Sequence, residues 1–262
     1  MSSDHDSPAG RPSVTLTTDV GEGFGRWSLG DDDALLDTVT AANIACGFHG
    51  GDPDIMRRTC AIAAANGVSI GAQVSYRDLA GFGRRYIAVP GDTLTNDLVY
   101  QIGALEAFAK LAGTRVSYIR AHGALYNVAA KNKEHAQAIV DAVRLYDPAL
   151  PLLCQVGTEQ WDIAVEAGLS TIAEAFVDRA YTAEGLLVPR GTPDAMVTDP
   201  TTAAERAVSM VLDKKVIALD GTEVPLEAKA LLVHCDTTGA VDIARATRAA
   251  LEAAGITVQP LV

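Results

Sequence analysis

From about residue 14 onward, short apolar runs rich in β-branched residues alternate with longer segments of helical spacing, and the alternation continues to the end of the chain. This constrains the fold more than any other feature, because repeated β-α units pair their strands in parallel and pack the helices outside. Strands are predicted at 14–20, 43–48, 68–75, 115–122, 150–157, 170–178, 230–236 and 256–259, and helices at 32–40, 54–66, 94–112, 133–145, 158–167, 201–212 and 241–254. Asp52 (before Pro53), Thr93 and Thr201 are candidate N-caps, and Gly67, Gly113, Gly168 and Gly255 stand where helices should stop. Segment 215–225, with Asp220-Gly221 as its turn, reads as a hairpin inserted ahead of the strand at 230. Seven or eight consecutive units favour a closed β/α barrel over a doubly wound open sheet. No linker or low-complexity stretch divides 14–262, which reads as one barrel domain behind a polar tail of residues 1–13.

Composition narrows the partners. Acidic residues (33) outnumber basic ones (21), and the net charge of −12 makes nucleic acid an unfavourable partner. Apolar runs such as 230–233 fall far short of the roughly 20 residues that span a bilayer, and the tail lacks the apolar segment of a secretory leader, so a cytoplasmic protein is expected. Cys46, Cys60, Cys154 and Cys235 form no CxxC pair and read as free, buried thiols.

In a β/α barrel, chemistry gathers on the loops at the carboxyl ends of the strands. Each such end carries unusual polar residues: Asp19 and Glu22 after the first strand, His49 and Asp52 after the second, Gln73, Tyr76 and Arg77 around the third, His122 and Asn127 after the fourth, Asp178 and Arg179 after the sixth, His234 and Asp236 after the seventh. Any one of them has an ordinary explanation as a cap, a turn or a satisfied structural residue. Three of the 5 histidines together with several carboxylates at one barrel face point to function. Asp and His together can hold a divalent metal that sharpens a water, or act as general base and acid around an amide carbonyl, and the residues alone leave both open. Arg84 and Arg85 could clamp a carboxylate or phosphate, while Gly81, Gly83 and Gly123 would allow close backbone approach. There is no GxxxxGK[ST] loop for a nucleotide.

The motifs from Asp19 to Trp27, Ala42 to Pro53, Gly81 to Arg85, Tyr100 to Leu105, His122 to Asn127, Phe176 to Arg179 and Leu187 to Arg190 resemble, in order and over nearly the whole chain, those of the LamB/YcsF family. The resemblance implies a deformed seven-stranded β/α (TIM-like) barrel similar to the glycoside hydrolase and deacetylase barrels. It also implies an ATP-dependent 5-oxoprolinase activity, opening 5-oxo-L-proline to L-glutamate with ATP and Mg2+ and with partner subunits B and C. Under it, Asp19, Glu22, His49 and His122 are the acid-base or metal-binding groups, with Asp19, His49 and His122 as the ligands if a metal is bound. Asn43, Asp52, Tyr76 and Asn127 support them, Arg84, Arg179 and Arg190 hold carboxylate or phosphate, and His234 and Asp236 join the binding set.

The sequence also departs from the family pattern inside the motifs. Thr17-Thr18-Asp19 stands for the usual Asn-Cys-Asp, Gln73-Val74 for His-Pro, Arg120-Ala121-His122 for Lys-Pro-His, and His234-Cys235-Asp236 for His-Gly-Asp. Gln73 is the most consequential, since an amide is a poor metal ligand and cannot serve as a general base. Two other readings therefore stand beside the 5-oxoprolinase one: a divalent-metal amidohydrolase or deacetylase without ATP, and a catalytically silent barrel that binds a ligand or regulates its partners. A homo-oligomer is compatible with each.

Overall fold

The structure, a computed structural model, describes residues 11–261; most of the predicted tail, residues 1–10, lies outside the described residues. Its strands are β1 (Ser13–Val20), β2 (Ala41–Ala45), β3 (Ser69–Val74), β4 (Val116–Ala121), β5 (Leu152–Cys154), β6 (Thr171–Phe176), β7 (Lys215–Ile217), β8 (Glu223–Pro225), β9 (Ala230–Val233) and β10 (Thr257–Val258). Its helices are α1 (Asp32–Leu36), α2 (Pro53–Ala65), α3 (Gly91–Leu111), α4 (Gly123–Ala129), α5 (Lys133–Tyr146), α6 (Glu159–Glu166), α7 (Pro200–Leu212) and α8 (Ala240–Ala253). Strands β1 to β6 and β9 run parallel in that order, and β9 pairs back onto β1 (Leu16 beside Leu231), which closes a seven-stranded barrel. Strand β10 adds to the start of β1, with Ser13 beside Thr257, so the chain joins the sheet one residue earlier than predicted. The 215–225 segment forms the expected antiparallel hairpin of β7 and β8. No helix among the described residues is long and apolar enough to cross a membrane.

The barrel strands are buried almost throughout, as expected for a parallel sheet covered on both faces. Leu16, Val20, Ile44, Ile70, Val74 and Ile119 pack outward against helix residues such as Met56, Leu98, Ile102, Ile139 and Ile243. A second, small cluster joins Ala41, Tyr118, Leu153 and Ala230 from β2, β4, β5 and β9. The helix stops fall where the glycines predict: Gly67, Gly113, Gly168 and Gly255 all adopt φ between +67° and +79°. Asp52 caps α2 through the N–H groups of Asp54 and Ile55. The other two predicted caps are displaced. Helix α3 begins at Gly91, whose N–H is taken by Glu134 Oε1 at 2.9 Å, so Thr93 lies inside it. Asp199 caps α7 through Thr202 N–H at 2.7 Å with Pro200 as first residue, so Thr201 is in the first turn.

The predicted strands overran their carboxyl ends by two or three residues at β2, β5, β6 and β9, because residues 46–48, 155–157, 177–178 and 234–236 leave the ladder to form the loops of one barrel face. Helix α4 and a 3-10 turn at Leu79–Gly81 were not anticipated; both follow directly on strand-end motifs and are too short to show a period. Inside the barrel Gly71 lies beneath the ring of Tyr118, where an added Cβ would fall 2.1 Å from Cε2. Gly71→Ala is therefore expected to destabilise the fold by about 1–3 kcal/mol and to move Tyr118, whose hydroxyl donates to Asn43 Oδ1 at 2.8 Å. Urea denaturation checks this, and a change under about 0.5 kcal/mol would show that the ring relaxes freely.

Candidate active site

At the carboxyl end of β4, Arg120 is buried between two carboxylates from other strands. Its Nε donates to Glu174 Oε1 at 3.0 Å, and one terminal nitrogen donates to Asp19 Oδ1 at 3.2 Å. The guanidinium also lies over the rings of Tyr126 and Phe176, 5.1 and 5.7 Å from their centroids. Burial opposes its charge, but Asp19 and Glu174 hold its pKa above the ordinary arginine value. Asp19 accepts a further bond from Asn43 Nδ2 at 2.9 Å, so three strands fix one carboxylate. A lysine here could not reach both acids with one planar fork.

Above this layer lies the acid-base group. His49 and His122 stack nearly parallel, centroids 4.0 Å apart, and both are buried. Burial pushes the His49 pKa down to about 4, and burial with the neighbouring His49 and Arg120 pushes His122 well below its ordinary value, so both rings are neutral at pH 7. Glu22 stands beside them, its Oε1 3.3 Å from His122 Nδ1 and 3.9 Å from His49 Nε2, while Cys235 Sγ donates to Oε2 at 3.0 Å. Burial and the nearby Asp19 charge raise Glu22 to about 8, so the carboxyl is predominantly protonated at neutral pH. With neutral rings, its approach to His122 is a contact of uncharged groups rather than an ion pair. Burial and the neighbouring Glu22 raise the Cys235 thiol well above its ordinary value, which favours the thiol over a thiolate there; all four cysteines are free and buried.

Gly83 makes this packing feasible. At φ +63°, with the place of a Cβ 2.8 Å from His49 Cβ and 3.0 Å from His122 Cδ2, it lets the backbone lie directly on the imidazole pair. Phe82, itself in the left-handed region at φ 54°, presents its carbonyl to His122 Nε2 at 3.0 Å.

A cleft of about 510 Å³ opens beside Arg84, Asn127, Arg179 and Arg190, and leads into a chamber of about 30 Å³ bounded by Asp19, Arg120, His122 and His234. Asp236 accepts from Arg84 and, at 3.5 Å, from Arg190, and these arginines hold its carboxyl below the usual range despite burial. Arg179 is 4% exposed, donates to Val188 O at 2.5 Å, and leaves its Nε without a partner. Burial and the adjacent Arg190 lower it to about 10, which still leaves it charged. A buried guanidinium without a carboxylate partner marks a place for an anion. His234 is fixed by Asp178, which accepts from Nδ1 at 2.9 Å and from the His234 backbone N–H at 3.0 Å, and stacks on Phe176.

The structure thus brings together Asp19, Glu22, Asn43, His49 and His122, with Arg84, Asn127, Arg179, Arg190, His234 and Asp236 around the cleft and chamber. Two predicted residues fall elsewhere. Asp52 is spent on capping α2 and on Gly25 N–H at 2.8 Å. Tyr76 is 1% exposed and its hydroxyl meets His135 Nδ1 at 2.5 Å, because its side chain points toward α5 instead of the cleft. The expected metal set changes as well: Asp19 is tied to Arg120 and Asn43, whereas Glu22, His49 and His122 offer ligand atoms within 4.8 Å of one another. Two imidazole nitrogens and a carboxylate oxygen suit a divalent ion in kind and number, and Glu22 Oε1 has no hydrogen-bond partner. The sequence marks Asp178 as a strand-end polar residue without giving it a role, and does not mark Glu174. Glu174 has a legible signal, the lone charge in the run 171–176, which burial disfavours unless a cation, hydrogen bonds or protonation compensates it.

The LamB/YcsF family model matches residues 14–262. Two proteins named as the A component of 5-oxoprolinase, from Streptomyces avermitilis and Mycolicibacterium gilvum, are each 54% identical over 245 residues, covering 94% of this chain and 98% and 97% of theirs. The crystal structure of a lactam utilization protein from Thermus thermophilus superposes with a TM-score of 0.91 at 44% identity, over 95% of this chain and 100% of that one. The catalytic domain of a peptidoglycan N-acetylglucosamine deacetylase from Eubacterium rectale shares the barrel alone, at a TM-score of 0.51 and 15% identity over 98% of this chain and 91% of its own. With the motifs in family order on a closed seven-stranded barrel, this chain belongs to the LamB/YcsF family.

Proposed function

We propose that this chain is the ring-opening subunit of an ATP-dependent 5-oxoprolinase, converting 5-oxo-L-proline to L-glutamate together with subunits B and C, with ATP and its Mg2+ as co-substrate. The observation that carries the reading is a protonated Glu22 beside two neutral imidazoles, of which His122 bounds the chamber that adjoins the cleft, where the buried Arg179 lacks an anionic partner. The relatives named as 5-oxoprolinase components support it.

A lactam is a poor electrophile, so coupling to ATP, which can place a phosphoryl group on the lactam oxygen, makes attack by water feasible. The arginines of the cleft bind the substrate carboxylate or that phosphoryl group. His122, which bounds the chamber, takes a proton from water at Nδ1, displacing the Gln73 amide that holds that nitrogen in the free protein, as the water oxygen bonds to the carbonyl carbon. Glu22 gives its proton to the ring nitrogen as the C–N bond breaks, which frees the amine and leaves the phosphoryl group on the new carboxyl; a second water then releases inorganic phosphate, and the product is glutamate. Asp19, held by Arg120 and Asn43, keeps the floor of the chamber polar and fixed. A second reading, a divalent-metal amidohydrolase without ATP, is favoured by the Glu22, His49 and His122 set: those residues would hold an ion that polarises a carbonyl or a water.

The test is glutamate release from 5-oxo-L-proline and ATP by the purified chain, alone and with subunits B and C, with metal content measured on the same sample. Glutamate is expected only from the mixture. None in any mixture overturns the reading, and amide hydrolysis without ATP by metal-loaded protein would establish the second. In the active mixture Arg179→Met is expected to raise KM about 10- to 100-fold with a smaller change in kcat. An unchanged KM would remove Arg179 from substrate binding.

A further inference from the structure

Gln73 ties the two imidazoles together. It is fully buried in β3, with Oε1 3.1 Å from His49 Nε2 and Nε2 3.1 Å from His122 Nδ1. An amide oxygen only accepts and an amide nitrogen only donates, so the direction of the whole series follows once one end is fixed. The backbone fixes it. His122 Nε2 faces the Phe82 carbonyl at 3.0 Å, and a carbonyl only accepts, so that nitrogen carries the hydrogen. The neutral ring then has a bare Nδ1, which must accept from the Gln73 amide nitrogen. The amide oxygen is left facing His49, whose Nε2 must carry its hydrogen. The bonds run one way, from His49 Nε2–H to Gln73 Oε1, from Gln73 N–H to His122 Nδ1, and from His122 Nε2–H to Phe82 O. The anchor is held firmly, since Phe82 and Gly83 both occupy the left-handed region and Gly83 is wedged against Ser75 and His49.

We propose that Gln73 is a positioning residue that locks His49 and His122 as Nε2–H tautomers and thereby weakens the Glu22, His49 and His122 group as a metal site. A divalent ion binds an imidazole through a lone pair. Of the nitrogens that face Glu22, His49 Nε2 is kept protonated, and the lone pair of His122 Nδ1 is already held by the amide. Loading an ion would break both Gln73 bonds and drive the His49 proton to Nδ1, a buried nitrogen with no partner. A histidine at this position would impose no such direction, because either ring nitrogen can donate or accept. The lock belongs to the free protein and does not depend on which substrate the cleft takes.

Long-range 1H–15N spectra of the 15N-histidine-labelled chain test the lock directly. At neutral pH both rings are expected to be neutral, protonated on Nε2 and bare on Nδ1, with the two rings assigned from His49→Gln and His122→Gln. Zinc titration by calorimetry is the second readout. Gln73→Leu, which removes the amide without adding a ligand, is expected to bind zinc at least about tenfold more tightly than the wild type. A wild-type ring protonated on Nδ1 overturns the proposal, and so does a folded Gln73→Leu whose zinc affinity is no higher than that of the wild type. The wild-type tautomers decide the matter even where the leucine variant fails to fold.

Discussion

Glu22→Gln is expected to lower glutamate formation by the assembled system about 10²- to 10⁴-fold, the contribution of a positioned general acid, with little loss of stability. The amide matches the carboxyl in shape, and at neutral pH it also matches its charge, because burial and Asp19 raise Glu22 to about 8. Its oxygen can still accept from the Cys235 thiol. What the amide lacks is a proton to give to the departing ring nitrogen. The wild-type rate should accordingly fall as pH rises through about 8, where Glu22 loses that proton. Stability moves in the same direction. A folded-state pKa raised from 4.5 to about 8 favours the folded protein fully below pH 4.5, and the advantage is lost progressively as pH rises to 8. Glu22→Gln removes that slope, so the variant should gain on the wild type between about pH 5 and 8.5 in urea denaturation. Turnover within about threefold of wild type, or two parallel stability profiles, would take the proton away from Glu22.

How much of this was legible in the sequence follows from what each residue answers to. The barrel was legible because β-α alternation is a local, repeated signal, and parallel strands buried on both faces write it in apolar residues. The strand-end polar residues were legible for the complementary reason, that side chains such as His49, His122 and His234 have no place in those apolar runs. Partnerships were not legible. Asp19 looked like a metal ligand until Arg120, 101 residues away, proved to hold it, and Glu22 took its place beside the imidazoles. Tyr76 lies two residues past the end of β3, where one change of direction decides between the cleft and the core; it went to the core. Asp52 satisfied the rule for a helix cap, and capping is what it does. Gln73 was noticed as a departure, but its bridging role needs three side chains from three strand ends and one carbonyl in register, which no local pattern encodes.

The largest stability effect is expected at Arg120. Arg120→Met should destabilise the fold by about 3–5 kcal/mol, the range found when one partner of a buried ion pair is removed. The methionine fills much of the volume and keeps contact with Tyr126 and Phe176, so the loss is chiefly electrostatic. Asp19 and Glu174, with side chains 2% and 0% exposed, would keep their places in the barrel without the cation they share. Burial already pushes Glu174 above the usual carboxylate range against the pull of Arg120, and without that pull it holds its proton to still higher pH. A raised folded-state pKa favours folding at low pH and is lost as pH rises, so the deficit of Arg120→Met should be smaller at about pH 5 than at about pH 8. Adding Glu174→Gln removes one of the stranded charges and should recover part of the loss, with the larger recovery at the higher pH. Urea midpoints of the three proteins at the two pH values decide it. A deficit below about 1 kcal/mol, or one equal at both pH values, would mean that the acids relax into water and that the triad is not a closed electrostatic unit. Arg120→Lys separates charge from geometry, because the ammonium restores the former without a fork that spans both acids. Its stability should fall between those of the wild type and Arg120→Met, and its ring opening should track how well Asp19 stays fixed in the chamber that His122 also lines.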